Sequence, residues 1–202
     1  MASSTTPAPR GRPRSFDRDA ALQHALTEFW RHGYEATSIA TLTRAMGINP
    51  PSLYAAFGDK RKLFSEAVQH YVRTVGGYGS RALQQPTARA AVEQLLRTAA
   101  AGYTDPSHPP GCLVVRAATN CTDASADVEA ELRAIREGTK HALEEKIRAD
   151  LTAGLLPATA DPRALAAFYA AVVQGMSVQA CDGADHADLD AIATTALAAW
   201  PS

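Results

Sequence analysis

Apolar residues recur at intervals of three and four along most of the chain, and no segment alternates apolar and polar residues as a half-buried strand would. The first such segment places Leu22, Leu26 and Phe29 on one helical face, after a capping Asp17 and before Gly33. The same spacing continues to the last residues. The pattern therefore predicts an all-α protein of about nine helices.

Two short helices around a tight turn are predicted next. Thr37 or Ser38 supplies a hydroxyl cap for the first, and Gly47 accepts the left-handed conformation that ends it. A proline disfavours helical dihedrals in the residue before it, so we expect the second helix to begin at Pro51. Asn49 and Pro50 would form its lead-in. This arrangement is a helix-turn-helix unit.

A longer helix is predicted after a capping Asp59, running from Lys60 through Val75 to the glycines that follow. Later segments predict five more helices, at about residues 87–102, 111–121, 126–153, 161–180 and 189–200. In the segment from 161, Asp161 is a cap and Pro162 occupies the first helical position. This helix is rich in small and apolar residues on all sides, which indicates extensive burial.

The stretch from Gly33 to Phe64 resembles the DNA-binding domain of the TetR family of bacterial transcriptional regulators. The resemblance has no gaps and rests on Gly33-Tyr34, Thr37-Ser38-Ile39, Leu42, Gly47-Ile48, Ser52-Leu53-Tyr54, Phe57, Lys60 and Leu63-Phe64. It implies a DNA-binding domain at about residues 15–60, after a disordered basic arm at 1–14. It also implies a ligand-binding and dimerisation domain at 61–202.

The resemblance further implies a homodimer that binds palindromic operator DNA, acts as a repressor by default, and is released by a small-molecule inducer. The rival interpretation is a helical adaptor that keeps this fold for protein contacts without binding DNA. Residues 1–61 carry eight basic and five acidic residues, a net charge of +3, whereas the remainder carries twelve and sixteen, a net charge of −4. A basic N-terminal part favours the DNA-binding interpretation.

The residues expected at DNA lie in the arm and around the helix-turn-helix. The Thr37 and Ser38 hydroxyls lie at a helix start that can bind phosphate, and Lys60 can meet a phosphate at the next helix N-terminus. Tyr54 is expected to pack its ring inward and extend its hydroxyl to a phosphate. The full set is Arg10, Arg12, Arg14, Thr37, Ser38, Arg44, Asn49, Pro50, Pro51, Ser52, Tyr54 and Lys60. A solvated tail is the alternative for the arm, and a surface charge for Arg44.

The C-terminal part offers two further sets of residues. Apolar walls with a few polar groups suggest a ligand cavity lined by Tyr71, Tyr78, Tyr103, Cys112, Arg116, Asn120, Phe168, Tyr169, Val172 and Met176, although a plain core has the same composition. Small residues allow close helix approach and suggest a dimer interface at Ala164, Phe168, Ala171, Gly175, Ile192 and Ala196. The alternative for this second set is the core of a monomer.

Other chemistry finds little support in the sequence. No phosphate-binding loop, zinc motif or nucleophile elbow occurs, so we expect neither an enzyme nor a cofactor. The acidic residues between Cys181 and Asp190 read as a loop rather than a metal site. A Gly111-Cys112 pair resembles an element of some TetR-like regulators that respond to electrophiles or oxidants, and a helix N-terminus at Cys112 would favour its thiolate. An inert buried thiol is the alternative.

The expected location is the cytoplasm. The first residues lack the apolar block of a secretory signal, and we expect no run long enough to cross a bilayer and no membrane partner. Three cysteines, an odd number, fit reduced thiols better than a disulfide framework.

Overall fold

The computed structural model describes residues 16–117 and 121–201. Within these ranges the chain forms ten α-helices and two short 3-10 turns, with no strand, which confirms the predicted all-α class. The helices are α1 (Arg18–Ala36), α2 (Ile39–Met46), α3 (Pro50–Phe57), α4 (Lys60–Arg73), α5 (Tyr78–Ala82), α6 (Ala88–Tyr103), α7 (Leu113–Arg116), α8 (Ala126–Thr152), α9 (Pro162–Cys181) and α10 (His186–Ala198).

The first three helices form a small N-terminal unit, called the head below. Asp17 caps α1 by accepting hydrogen bonds from the backbone of Asp19 and Ala20. Gly33, with φ of 77°, breaks α1 before a last turn that ends at Ala36, so the helix extends four residues beyond its expected end. A side chain would make this φ costly, which explains the glycine.

The helix-turn-helix unit is built by local capping. The Ser38 hydroxyl accepts from the Thr41 amide, and Gly47 closes α2 with φ of 66°. The Asn49 side chain caps α3 by accepting from the Ser52 amide. The helix begins at Pro50, one residue earlier than expected, because neither proline needs an amide hydrogen in a first turn. Pro50 therefore belongs to the helix even though the following proline disfavours helical dihedrals at this position.

The head is held to α4 by a shared aromatic and aliphatic core. Leu26, Phe29, Leu42, Leu53 and Phe64 are all buried. The rings of Phe29 and Phe64 meet edge to face with centroids 5.0 Å apart. At the rim, the Arg18 guanidinium donates to both Glu66 carboxylate oxygens at 2.5 and 2.7 Å, which ties α1 to α4 a second time.

The remaining helices, α5–α10, are called the body below. Helix α4 ends two residues before the expected Val75, and a 3-10 turn and the short α5 follow it. The helix predicted from residue 111 starts only at Leu113 in α7, because Gly111 has φ of 75° and Cys112 is extended. An Asp185–Asp188 capping box starts α10 three residues earlier than expected. Helix α9 packs against α6, α8 and α10.

Helix α9 presents an apolar side to solvent. Phe168 is 44% and Val178 50% exposed, and Ala164, Ala171 and Gly175 lie exposed on the same side. By length and a mean hydropathy of 1.4, α9 is apolar enough to cross a bilayer, so the expectation that no run reaches that length is wrong here. Its packing against three body helices is typical of a helix in a folded domain.

Candidate functional site

The head presents one outward face formed by α2, the turn and α3. Arg44, Asn49, Pro50, Pro51 and Tyr54 are exposed there. Ser38 is also exposed at the start of α2, and Ser52 is half-buried. This set, which we call the head face, brings together most of the residues predicted to contact DNA. Among the described residues no ion pair occupies Arg44.

Two expectations about the head face need correction. Thr37 is buried, and its hydroxyl donates to the Gly33 carbonyl at 2.6 Å, so it caps the end of α1 and does not face a phosphate. Tyr54 is 48% exposed, so its ring does not pack inward as predicted. Leu53 and Phe57 already fill the inner side of α3, which leaves Tyr54 on the outer side. About half of the Tyr54 surface is therefore available to a partner.

Lys60 lies at the first position of α4, beside the head face. Its ammonium lies 4.3 Å from the centroid of the Tyr34 ring and donates to the Glu35 carbonyl at 3.5 Å. Burial lowers the pKa of Lys60, and the Glu35 charge opposes that change. The α4 N-terminus itself is capped by the Asp59 carboxylate, which accepts from the Lys62 amide at 2.7 Å. Lys60 is thus held in place by Tyr34 rather than extended into solvent.

The predicted basic arm cannot be placed against this face. Arg10, Arg12 and Arg14 lie outside the described residues, as does Asn120 of the predicted ligand set.

A cavity of about 110 Å³ that is partly open to solvent lies between α4 and the body, and we call it the tyrosine cavity. Helices α4 to α9 all contribute to its wall. Four of the predicted ligand residues lie there together: Tyr71, Tyr78, Tyr103 and Cys112. The sequence analysis missed most of the remaining wall, which includes Val72, Leu95, Val114, Val115, Ile135, Arg136, Thr139, Lys140, Leu143, Ala170, Val173 and Gln174. The four-residue spacing of Ile135, Thr139 and Leu143 on α8 was a usable signal.

Four polar groups of the cavity form a cluster of three hydroxyls around a thiol. The Tyr71 hydroxyl donates to Cys112 Sγ at 3.3 Å, and the Tyr78 hydroxyl lies 3.6 Å from the same sulfur. The Tyr78 and Tyr103 hydroxyls are 2.5 Å apart. Burial raises the pKa of all three phenols well above the ordinary value of 10.0. They therefore remain neutral hydrogen-bond donors at physiological pH.

The structure places Cys112 before a very short helix, not at the N-terminus of the longer one predicted. The residue precedes a helix of only four residues and makes no side-chain cap, so few aligned peptide dipoles point at its sulfur. Its backbone amide donates to the Ser177 hydroxyl at 2.8 Å, which fixes the chain at this point. Cys112 is buried, whereas Cys121 and Cys181 are half-buried.

The other predicted ligand residues lie outside the tyrosine cavity. Arg116 and Met176 do not line it, and the Tyr169 hydroxyl donates to the Ala196 carbonyl in the core between α9 and α10. Phe168 and Val172 line a separate surface cleft of about 480 Å³ with Ile192 and its neighbours. Helical spacing explains the division, because Ala170, Val173 and Gln174 occupy the side of α9 that faces the cavity.

The predicted dimerisation residues divide in a similar way. Ala164, Phe168, Ala171 and Gly175 form an exposed stripe on α9, and Ile192 of α10 lies half-buried beside them. Ala196 is only 5% exposed and packs largely within the chain. The stripe and the tyrosine cavity therefore occupy opposite sides of α9.

Helix α7 and the loops around it connect the tyrosine cavity to the head. Cys112, Val114 and Val115 line the cavity, and the next residue but one, Ala117, accepts a hydrogen bond from the Tyr34 amide at 3.4 Å. The Trp30 ring of α1 stacks on His108 in the loop before α7, with centroids 4.6 Å apart. A displacement of α7 would thus reach the head through backbone and ring contacts.

Charged contacts join the head side of α4 to the start of α8. Arg61 pairs with Asp127 and, at 2.7 Å, with Glu131, while the Ser65 hydroxyl donates to Glu131 at 2.8 Å. The Thr122 hydroxyl donates to Glu35 of α1 at 2.8 Å. The Arg61 interaction lowers the pKa of Asp127. These groups hold α1 and α4 against the body.

The acidic segment before α10 has a structural role. Asp185 and Asp188 exchange capping hydrogen bonds with each other's backbone. In the described part of the chain, no group of three or more potential ligands is arranged to hold a metal ion.

Two family models match the chain. The one described as "Bacterial regulatory proteins, tetR family" matches residues 21–67, and the one described as "Tetracyclin repressor-like, C-terminal domain" matches residues 86–196. The first match covers the helix-turn-helix and the second covers most of the body.

Named relatives match over nearly the whole chain. The HTH-type transcriptional repressor ComR of Escherichia coli (strain K12) is 34% identical over 194 residues, or 95% of this chain and 92% of ComR. The repressor BdcR of the same organism is 33% identical over 93% of this chain and 90% of BdcR.

A solved structure is also similar throughout. It is a triple-cysteine mutant of the TetR family transcriptional regulator CifR, complexed with 26-bp double-strand operator DNA. Its sequence is 47% identical to this chain, with a TM-score of 0.89, and the match covers 95% of this chain and 100% of the CifR chain.

Proposed function

This chain belongs to the TetR family of bacterial transcriptional regulators, and from that premise we propose that it is a homodimeric repressor of palindromic operator DNA, released by a small-molecule inducer. The observation that carries the proposal is the exposed head face on a chain 47% identical to CifR, whose structure was solved on operator DNA. The named relatives ComR and BdcR are repressors, which supports repression over activation.

The head face supplies the contacts that operator recognition needs. Arg44 can neutralise a phosphate, and the Tyr54 ring and hydroxyl offer both an apolar surface and a donor. Pro50 and Pro51 present apolar groups that suit a thymine methyl. Lys60 lies at the start of α4, and its ammonium can contact a phosphate of the DNA backbone if it leaves the Tyr34 ring.

The α9 stripe supports the homodimer. A palindromic operator has two half-sites, and a two-fold symmetric protein meets both at once. An apolar side that includes exposed Phe168 and Val178 would otherwise remain in water. Covering it with the α9 and α10 of a second protomer gives a four-helix interface, which also explains the hydropathy of α9 without a membrane.

The tyrosine cavity is the proposed inducer site, and α7 is the proposed connection to the head. An inducer acts only if it binds one arrangement of the two heads more tightly than the other. Occupancy of the cavity displaces Cys112 and α7, which changes the Ala117–Tyr34 and Trp30–His108 contacts. Helix α4, which lines the cavity at Tyr71 and holds the head at Phe64, moves with them.

A thiol-based sensor is the second candidate, favoured by the position of Cys112 inside the same cavity. In this version an electrophile modifies Cys112 instead of binding reversibly. Native alkylation followed by mass spectrometry tests it, with Cys121 and Cys181 as internal controls. A Cys112 that stays unlabelled while the other two react would remove the sensor.

The same proposal assigns no catalysis to the chain and places it in the cytoplasm, where its DNA is. We also propose the division into an arm at 1–14, a DNA-binding domain at 15–60 and a ligand-binding and dimerisation domain at 61–202.

The test is fluorescence anisotropy with DNA from upstream of the protein's own gene, across a salt series and against random DNA. We expect tight, salt-sensitive binding that Tyr54→Ala and Lys60→Ala both weaken. Arg89→Ala, an exposed charge of the body, serves as the control and leaves binding unchanged. If neither upstream DNA nor a random-site selection yields a preferred sequence, the adaptor interpretation replaces the repressor.

Sedimentation tests the dimer with a matched pair of exposed apolar residues. Phe168→Glu lies in the α9 stripe and should produce monomers, whereas Leu155→Glu lies outside the stripe and should leave the dimer intact. Dimerisation that survives Phe168→Glu would place the interface elsewhere.

A further inference from the structure

We infer that the tyrosine cavity binds a small neutral molecule whose oxygen accepts hydrogen bonds, such as a ketone or a cyclic ether of about six heavy atoms. This inference rests on the proposed function for its biological role, since it names the class of inducer. It depends on three properties of the cavity: its size, the nature of its polar cluster and the pairing of its cations.

The size sets the scale of the part of a ligand that lies inside the cavity, which is partly open to solvent. The cavity measures about 110 Å³. A cavity of roughly 150 Å³ is enough to hold benzene. The tyrosine cavity is smaller than this but partly open, so a five-membered ring with one oxygen substituent suits it, and Leu95, Ile135, Leu143 and Val173 provide apolar walls for the hydrocarbon part.

The polar cluster offers several hydrogens for donation, and each of its hydroxyl oxygens can also accept a hydrogen bond. Tyr71, Tyr78, Tyr103 and Cys112 each carry a hydrogen that can be donated. Two of the three tyrosine hydroxyls point at the thiol sulfur, which is a weak acceptor. A ligand oxygen placed among these groups would exchange weak O–H···S bonds for stronger O–H···O bonds. The high pKa of the phenols keeps them in the donating form.

The cations at the wall are already engaged. Arg136 donates to the Val114 carbonyl at 2.8 Å, and Lys140 pairs with Glu137 at 2.6 Å. A carboxylate ligand would have to compete with these contacts and lose its hydration as well. A neutral ligand loses less hydration free energy than a carboxylate, and its oxygen can accept hydrogen bonds directly from the tyrosine hydroxyls.

Three probes of one shape test this inference on the full-length, DNA-free protein: cyclopentanone, cyclopentane and cyclopentanecarboxylate. Their affinities are measured by NMR titration. Replacing two tyrosine hydroxyls in the Tyr71→Phe/Tyr78→Phe double variant should lower the cyclopentanone-to-cyclopentane affinity ratio by ~5–10-fold, the value of one hydrogen bond. Taking the ratio removes any change in cavity shape that affects both ligands equally.

Tyr169→Phe is the matched control, because it removes a buried hydroxyl that donates to Ala196 outside the cavity. This variant should keep the wild-type ratio. The infrared carbonyl band of bound cyclopentanone gives a second measure, and it should shift to lower frequency in wild type and less in the double variant. Circular dichroism confirms that each variant is folded.

A ratio unchanged by the double variant, or tighter binding of the carboxylate than of the ketone, would overturn the inference. Operator binding by the same preparations is measured separately. If the protein binds operator but not cyclopentanone, the proposed ligand class is wrong and the proposed repressor function stands. If the protein binds cyclopentanone but not operator, the proposed repressor function is wrong and the inference about the cavity stands.

Discussion

The head face and the tyrosine cavity both rely on tyrosine, in opposite surroundings. Tyr54 is 48% exposed on α3, whereas Tyr71 and Tyr103 are each 1% exposed in the body. The exposed ring is free for an outside partner and contributes little to the fold. The buried rings fill the core and carry hydroxyls that bond one another and a thiol. In the proposed function, the same side chain is thus a recognition element in one region and a structural and binding element in the other.

The largest expected difference is in stability. Tyr103→Ala leaves a large void at the centre of the body and should lower the free energy of unfolding by about 3–5 kcal/mol. Tyr54→Ala removes an exposed ring and should change it by less than about 0.5 kcal/mol. Urea unfolding followed by circular dichroism measures both. Equal losses of unfolding free energy in the two variants would contradict the difference between the exposed and the buried tyrosines.

The second difference is in the response to salt. Arg44→Ala removes a charge from the head face and should weaken operator binding while lowering the slope of log affinity against log salt by about one. Tyr103→Phe, in the cavity, should leave that slope unchanged. Anisotropy at four salt concentrations measures the slope, and a wild-type slope in Arg44→Ala would exclude this residue from the DNA contact.

The third difference appears at high pH. Burial raises the phenol pKa values of the cavity above 10.0, so folding favours the neutral phenols. Their contribution to stability is complete below about pH 10 and is lost as the pH rises further. The Tyr71→Phe/Tyr78→Phe variant should therefore lose less stability than wild type between pH 9 and 11. Thermal unfolding measures the loss, and parallel curves would contradict the assignment.

The smallest effect concerns the ion pair that ties the head to α4. The Arg18 hydrogen bonds lower the pKa of Glu66 below 4.5, so the pair stabilises the fold above that pH and fades as the pH falls. Glu66→Gln should cost about 0.5–1 kcal/mol at pH 7. The difference from wild type should shrink as the pH falls below 4.5. A constant difference across this range would show that the loss does not depend on the charge.

The sequence predicted the head in more detail than the body. Asp17, Ser38 and Gly47 act locally, through caps and a positive φ that their side chains make evident. The direction of Tyr54 was mispredicted, because a tyrosine suits both an inner and an outer position. Only the packing of Leu53 and Phe57 decides which one it takes.

The body was harder because its apolar helices lack a polar side that marks the surface. Tyr71, Tyr78, Tyr103 and Cys112 lie together in one cavity, whereas Phe168 and Tyr169, which the sequence assigned to the same set, lie outside it. Helix α9 is apolar all round, so its sequence does not reveal which side meets the cavity, the core or solvent. That division depends on where α8 and α10 pack.

The central claim is that cavity and head are coupled through α7, and one measurement tests it most directly. Operator affinity is determined by anisotropy with and without saturating cyclopentanone, and cyclopentanone affinity is determined with and without operator. Coupling predicts that each lowers the other's affinity by the same factor, about 5-fold or more. Affinities that stay unchanged in both directions, with both ligands bound at once, would contradict the account.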